Sequence, residues 1–175
     1  KYDDIECGDL VSFGNGQRLN KIASADYFAM IAAAKKDGLD LFPLSAFRSQ
    51  TDQESNFYGK MKVRQITPDV MSKFVAPPGH SEHHTGNAVD FNSLQPAFEN
   101  SEEFKWMQAN AHKYNFEISF TQNNQQGVMY EPWHWRWAGD SEARRVLYLD
   151  KPYLVRENGK SYIRDFSGNK NQKIK

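Results

Sequence analysis

Hydrophobic and polar positions follow more than one period along this chain. In KIASADYFAMIAAAKKDG, Tyr27, Met30, Ile31 and Ala34 fall on one face of a helix, and Gly38 is a suitable stop. LDLFPLSAF is an apolar run leading into Arg48 and predicts a buried strand. Pro43 inside it calls for an edge position or a distortion. SQTDQESNFYGKMKVRQ predicts a helix solvated on one side, and ITPDVMSKFV a short helix starting near Pro68. Asn87 to Phe91 has strand character. Asn100 or Ser101 can cap a helix through FKWMQANAHKY, with Glu102 and Glu103 well placed in its first turn. FEISF predicts a strand, TQNNQQG a polar loop and VMYEPWHWRW a second, aromatic strand region. Asp140 can cap a helix through ARRVLYL. Asn158-Gly159 lies between two β-rich runs, a hairpin signal. Residues 1 to 19 read as irregular, punctuated by Gly8, Gly14 and Gly16, and NKNQKIK reads as a frayed end.

Helices and strands mix without a βαβ rhythm. This predicts an α+β fold, a mainly antiparallel sheet with flanking helices. A chain of 175 residues is most simply one domain, 1–175, with a core over about 19–150 and a C-terminal hairpin over about 152–167.

Composition narrows the function classes. Lys+Arg and Asp+Glu number 22 each, so the chain lacks the basic excess that phosphate contacts need, and no nucleic acid is expected. A mean hydropathy of −0.78 marks a soluble surface. No stretch approaches the ~20 apolar residues of a membrane span. The single cysteine, Cys7, excludes an intramolecular disulfide, and a small buried residue is the expected role for it. The first residue is Lys1, not Met, so any signal peptide is expected to lie outside this sequence. Oligomeric state leaves no trace in the composition.

The chemistry concentrates in GHSEHHTGNAVD, residues 79–90, which holds three of the five histidines. On an extended Asn87–Phe91, Ala88 and Asp90 face one way and Val89 and Phe91 the other. A carboxylate so placed needs a partner or a metal if buried. In MYEPWHWRW, Trp133, Trp135 and Trp137 share one face of an extended segment, and His134 and Arg136 the other. Two distant segments thus each present a metal ligand on a polar face. His83, Asp90 and His134 would make a two-nitrogen, one-oxygen set, the plan of catalytic zinc with a position left for water. Glu131 stands three residues before His134. Pro132 disfavours helix there, so this is not the helical HExxH arrangement, and Glu131 is expected in a bend leaning over the metal as proton carrier. Singly, each residue has a plainer reading: a loop histidine, a cap acid, a packing histidine, a solvated acid. Spacing leaves His84 as an alternative to His83. His80 reads as a rim residue and His112 as a surface one.

These residues carry a resemblance. Ser81 to Asp90 is similar to the SxHxxGxAxD signature of the LAS zinc peptidases, and Glu131-Pro132-Trp133-His134 to their ExxH in its EPWH form. That form is typical of VanY-type D,D-carboxypeptidases and LdcB-type L,D-carboxypeptidases. Ser45-Ala46-Phe47-Arg48-Ser49 with Gln53 resembles the SGYRS…Q segment of the same branch. The resemblance implies one Zn2+ on His83, Asp90 and His134, Glu131 as general acid/base, and Arg48 as stabiliser of the oxyanion. It implies substrate-binding places for Ser81 and Gln53 near the substrate's C-terminal end. Ala46 replaces the usual glycine, Phe47 the usual tyrosine, and His84 stands where close relatives often carry glutamine.

The implied function is removal of a C-terminal D-alanine from peptidoglycan stem peptides in the bacterial periplasm or cell envelope, with D,D and L,D specificity both open. The same fold hosts endopeptidases and D,D-dipeptidases. A zinc-stabilised, non-catalytic cell-wall binding or interaction domain is the alternative from a different class.

Overall fold

The computed structural model describes residues 1–13, 15–124 and 127–147 in full. Residue 148 and the strand segments Tyr153–Glu157, Lys160–Arg164 and Lys170–Lys173 are described by their backbone. The chain clusters into two compact units, Lys1–Gly139 and Asp140–Lys175.

The first unit opens with a hairpin, β1 (Leu10–Phe13) against β2 (Gln17–Asn20). This corrects the irregular reading of residues 1–19. Asn15 and Gly16 both take positive φ, 56° and 73°. An Asn-Gly pair with that backbone is a strong hairpin-turn signal. The strands escaped notice because Gln17 and Arg18 break the apolar alternation, and only Phe13 and Leu19 are buried. Cys7 is a further correction. It is an exposed free thiol in a 3-10 turn, Cys7–Asp9, that buries none of its residues.

Helix α1 (Lys21–Lys36) starts where the Asn20 side chain accepts the Ile22 N–H at 3.0 Å. It ends at Asp37, followed by Gly38 at φ 82°. It buries Ala23, Tyr27, Met30 and Ala34, and Ile31 is half-buried. Helix α2 (Gln50–Arg64) is capped by Ser49, and α3 (Pro68–Met71) begins on Pro68. Helix α4 (Glu102–Asn110) is capped by Ser101, whose Oγ accepts the Phe104 N–H at 3.1 Å.

The central sheet runs β3-β4-β6-β5, with β3 Pro43–Ser45, β4 Ala88–Phe91, β5 Phe116–Ile118 and β6 His134–Trp137, and every pair is antiparallel. Pro43 indeed lies on an edge strand, and the register shifts between Pro43 and Ser45. A proline lacks the N–H that an inner strand would use.

Register decides what each face carries. Val89 pairs with Trp135, Asp90 with His134, and Ala88 with Arg136. Directly opposed residues point to the same side of a sheet. On one side Phe91 meets Phe116 and the α1 ring of Tyr27, at centroid distances of 6.4 and 6.2 Å. Trp135 meets Phe104 of α4 at 6.2 Å. Buried rings of this kind each remove on the order of 200 Å² from water, worth up to about 5 kcal/mol apiece. The other side carries Asp90, His134 and Arg136. The aromatic core therefore fixes the strands whose reverse face holds the polar groups.

In the second unit, α5 (Ser141–Tyr148) starts where Asp140 Oδ1 accepts the Ala143 N–H at 2.7 Å, as its cap position predicts. Strands β7 (Tyr153–Glu157), β8 (Lys160–Arg164) and β9 (Lys170–Lys173) form an antiparallel sheet. The expected turn at Asn158-Gly159 lies outside the described residues.

Candidate metal centre

Asp90 and His134 come from neighbouring strands; His83 comes from a turn. The 3-10 turn Glu82–Thr85 is capped by Ser81, whose Oγ accepts the His83 N–H at 3.4 Å. Gly86 ends it at φ 66°. A Cβ there would stand 3.1 to 3.2 Å from Leu10, Asn20 and Ile5 atoms, so the turn lies against the N-terminal hairpin with no room for a side chain. The leading segment holds the turn from outside. Tyr2 N–H donates to Gly79 O and Ile5 N–H to His84 O, at 2.6 and 2.9 Å.

The side chains converge. His83 Nε2 lies 3.2 Å from Asp90 Oδ2, and His134 Nδ1 lies 2.9 Å from Asp90 Oδ1. The ligand atoms of all three residues lie within 4.8 Å of one another, and all three residues are buried. Tetrahedral ligands at 2.0–2.2 Å from zinc stand about 3.3 Å apart, so the set is closed to nearly the spacing a cation needs.

The outer nitrogens fix which ring atoms face inward. His83 Nδ1 lies 2.6 Å from the Ala46 carbonyl, which can only accept, so Nδ1 carries the proton and Nε2 offers its lone pair. His134 Nε2 lies 3.1 Å from Glu82 Oε2, leaving Nδ1 toward Asp90. The rings of His83 and His134 stand edge to face at 4.9 Å, and Phe120 closes the far side of His134 at 4.9 Å. Donor type, spacing and ring orientation all fit a zinc-like cation.

Electrostatics agree with that reading. Burial works to raise the Asp90 pKa, but His83 and His134 hold it well below the usual carboxylate range. Burial lowers His83 against the pull of Asp90. Burial also opposes the charge on His134, yet hydrogen bonds to Asp90 and Glu82 push it up to about 10. Glu131 Oε2 is 3.8 Å from His134 Nδ1, and its N–H donates to Phe120 O at 3.1 Å. Burial pushes its carboxyl up to about 7, against the pull of His134.

Arg48 approaches from the loop before α2. Its guanidinium donates to Gln53 Oε1 at 2.7 Å and to Ser45 Oγ at 2.6 Å. Gln53 is buried, and its other end donates to Ala76 O at 2.6 Å. Both ends of the Gln53 amide are thus engaged within the protein. The Arg48 N–H donates to His83 O at 3.2 Å, tying its loop to the ligand turn. His84 is fully buried and points away from the ligands. Its Nδ1 donates to Arg48 O at 2.7 Å, and its Nε2 accepts the Gly79 N–H at 3.1 Å. A glutamine, with one donor and one acceptor end, could bridge the same pair. His112 is exposed, as expected, and His80 is exposed too.

The sequence reading missed Glu82. An acid between two polar residues defaults to the surface, yet Glu82 is 4% exposed and contacts His134, Arg136 and Ser119. Its partners are 37 to 54 positions away, so no local pattern marks it.

Geometry of this kind belongs to metal-dependent hydrolases. Residues 16–140 match the family model VanY, D-alanyl-D-alanine carboxypeptidase, and the chain belongs to that family. The "Putative carboxypeptidase YodJ" of Bacillus subtilis (strain 168) is 36% identical over 142 residues, covering 73% of this chain and 49% of the relative. The chain spans about half the length of the curated relatives it matches, among them a D-alanyl-D-alanine carboxypeptidase of Enterococcus faecium. Among solved structures, the LdcB LD-carboxypeptidase, whose structure concerns peptidoglycan recognition, superposes with TM-score 0.69 at 31% identity over 82% of this chain and 74% of that one. A mutant of the D,D-pentapeptidase VanY from a VanB-type resistance cassette, in complex with Zn(II), gives TM-score 0.64 at 26% identity over 84% and 85%. Among the described residues no helix is long and apolar enough to cross a membrane.

Proposed function

We propose that this chain is a zinc-dependent carboxypeptidase that removes a C-terminal D-alanine from peptidoglycan stem peptides, and that it works outside the cytoplasm in the cell envelope. The observation that carries the reading is the closure of His83, Asp90 and His134 around one point with Glu131 on its rim. Zinc bound there would supply a Lewis acid that polarises a carbonyl and makes water acidic enough to attack near neutral pH.

The chain's own residues supply the rest. Glu131, with a carboxyl titrating at about 7, takes the proton of the attacking water at Oε2 and returns it to the departing amine. Arg48 presents a fixed cation toward the negative charge that develops on the scissile carbonyl oxygen. Gln53 and Ser45 hold that guanidinium. Gln53 thus serves substrate binding through Arg48, and Ser81 through the turn it caps. Phe120 and the buried ligand rings limit water at the site.

The test uses synthetic stem pentapeptide and tetrapeptide with the zinc-loaded protein, with and without chelator. D-Alanine release that requires metal, and that Glu131→Ala abolishes while zinc stays bound, is the expected result. Release that survives either treatment overturns the reading. The ratio of the two substrates' rates separates D,D from L,D activity.

A further inference from the structure

We propose that Glu82 is the positioning residue for His134, holding the ring so that Nδ1 faces the cation site. The inference rests on the metal-site reading above.

Glu82 lies buried among Ser119, His134 and Arg136. Oε2 accepts from Ser119 Oγ at 2.6 Å and from His134 Nε2 at 3.1 Å. Oε1 accepts from Arg136 Nη1 at 2.7 Å. Arg136 is held in turn by Glu117, whose Oε1 accepts from Nε and Nη2, both at 2.8 Å. The chain Glu117–Arg136–Glu82–His134 therefore runs from a partly exposed acid to the buried ring.

Taking a carboxylate out of water is costly, and an ion pair offsets this only when geometry and hydrogen bonding are good. Arg136 alone would satisfy one oxygen. The other oxygen is aimed at the imidazole. Turning the ring over would strip that acceptor of a donor in a dry site and leave His134 Nε2 without its partner. Glu82 thus selects one ring orientation and one tautomer, Nε2–H, and leaves Nδ1 as the donor atom. Asp90 and Glu82 hydrogen-bond opposite nitrogens of the ring, with Glu131 farther off at 3.8 Å, and Asp90 also approaches His83. Asp90 is placed to share the cation; Glu82 is placed behind it. Carboxylates in that outer position commonly set metal affinity by 10–100-fold.

Glu82→Gln keeps the shape of the side chain but has one acceptor oxygen. The amide must turn its N–H2 toward either Arg136 or the Ser119 and His134 side. The test measures zinc dissociation constants of wild type and E82Q by chelator competition, with thermal unfolding of both metal-free proteins beside it. A loss of affinity of about 10–100-fold with a folded metal-free E82Q is the expected result. Equal affinity overturns the proposal.

Imidazole nitrogen NMR of the zinc-loaded wild type gives a second readout that needs no variant. A protonated, hydrogen-bonded Nε2 on His134 with an unprotonated Nδ1 supports the assignment, and the reverse pattern overturns it even if E82Q fails to fold. A wild type that takes up no zinc overturns the function reading and this inference together. A wild type that binds zinc, beside a variant that binds it equally well, overturns this inference alone.

Discussion

Asp90 and His134 are direct cross-strand partners on β4 and β6, and their side chains meet at 2.9 Å. Two of the three candidate ligands are thus spaced by sheet register rather than by a loop. A slip of one residue in either strand would turn its own residue to the aromatic side and bring Val89 or Trp135 to the site. The aromatic packing behind the strands makes that slip expensive, so the ligand pair is pre-formed. Asp90→Ala is expected to abolish stoichiometric zinc uptake while the metal-free protein stays folded, because Val89, Phe91 and Trp135 still anchor the strands. Metal analysis after dialysis checks this, and one zinc per chain in the variant would refute it.

Zinc uptake is expected to release about one proton. In the metal-free chain Asp90 is held ionised and His83 is held neutral, so neither has a proton to lose near pH 7. His134 is raised to about 10 and carries both ring protons there. Its Nδ1 proton must leave before the nitrogen can bind a cation. Apparent affinity should therefore rise about tenfold per pH unit between roughly pH 7 and 9. Calorimetry in buffers of different ionisation enthalpy counts the protons. A pH-independent affinity would show that His134 is already neutral.

Glu131 is expected to destabilise the metal-free fold at alkaline pH. Its carboxyl titrates at about 7 in the fold against 4.5 in the unfolded chain, with burial as the main cause. A carboxyl raised in this way contributes its full stability below the unfolded value and loses it as pH climbs through the folded one. The difference corresponds to on the order of 3 kcal/mol. Metal-free Glu131→Gln should then exceed wild type in stability at pH 8 by up to about that amount, with the gap closing near pH 4. Urea unfolding at the two pH values measures it. A gap of the opposite sign at pH 8 would remove the buried-acid argument.

Much of this architecture is legible before any coordinates. Ser101 and Asp140 cap their helices through the hydrogen bonds that their side chains offer locally. Pro43 announces an edge strand because its missing N–H acts at that position alone. Asp90 and His134 are readable because alternation along an extended segment separates polar from apolar side chains within a few residues, whereas His83, in a 3-10 turn, is told from His84 only by the family signature. What the sequence hides is non-local. Glu82 becomes a buried acid only when Ser119 and Arg136 arrive from other strands and loops. The task of His84, bridging Arg48 O and Gly79 N, depends on how a distant loop closes. The β1–β2 hairpin carried its Asn-Gly signal, but polar residues at Gln17 and Arg18 masked the strand pattern. The exposure of Cys7 follows from a turn that buries nothing, which composition does not encode.

Gly86 links the ligand turn to that hairpin, and its replacement is expected to weaken both. The residue sits at φ 66°, and its carbonyl accepts the Asn20 N–H at 2.8 Å. Alanine would meet two costs there. A left-handed backbone disfavours any residue with a Cβ, and the new methyl would press on Leu10, Asn20 and Ile5 at 3.1 to 3.2 Å. The Asn20 contact is backbone at the start of α1, which has little freedom to move. Gly86→Ala should lose about 1–3 kcal/mol of stability. It should also bind zinc more weakly, because His83 O, which accepts the Gly86 N–H at 3.3 Å, shifts with the turn. Chemical denaturation and chelator competition on the same preparation test the pair of effects. A variant as stable as wild type would mean that the turn relaxes freely, and its hold on His83 would then lie elsewhere.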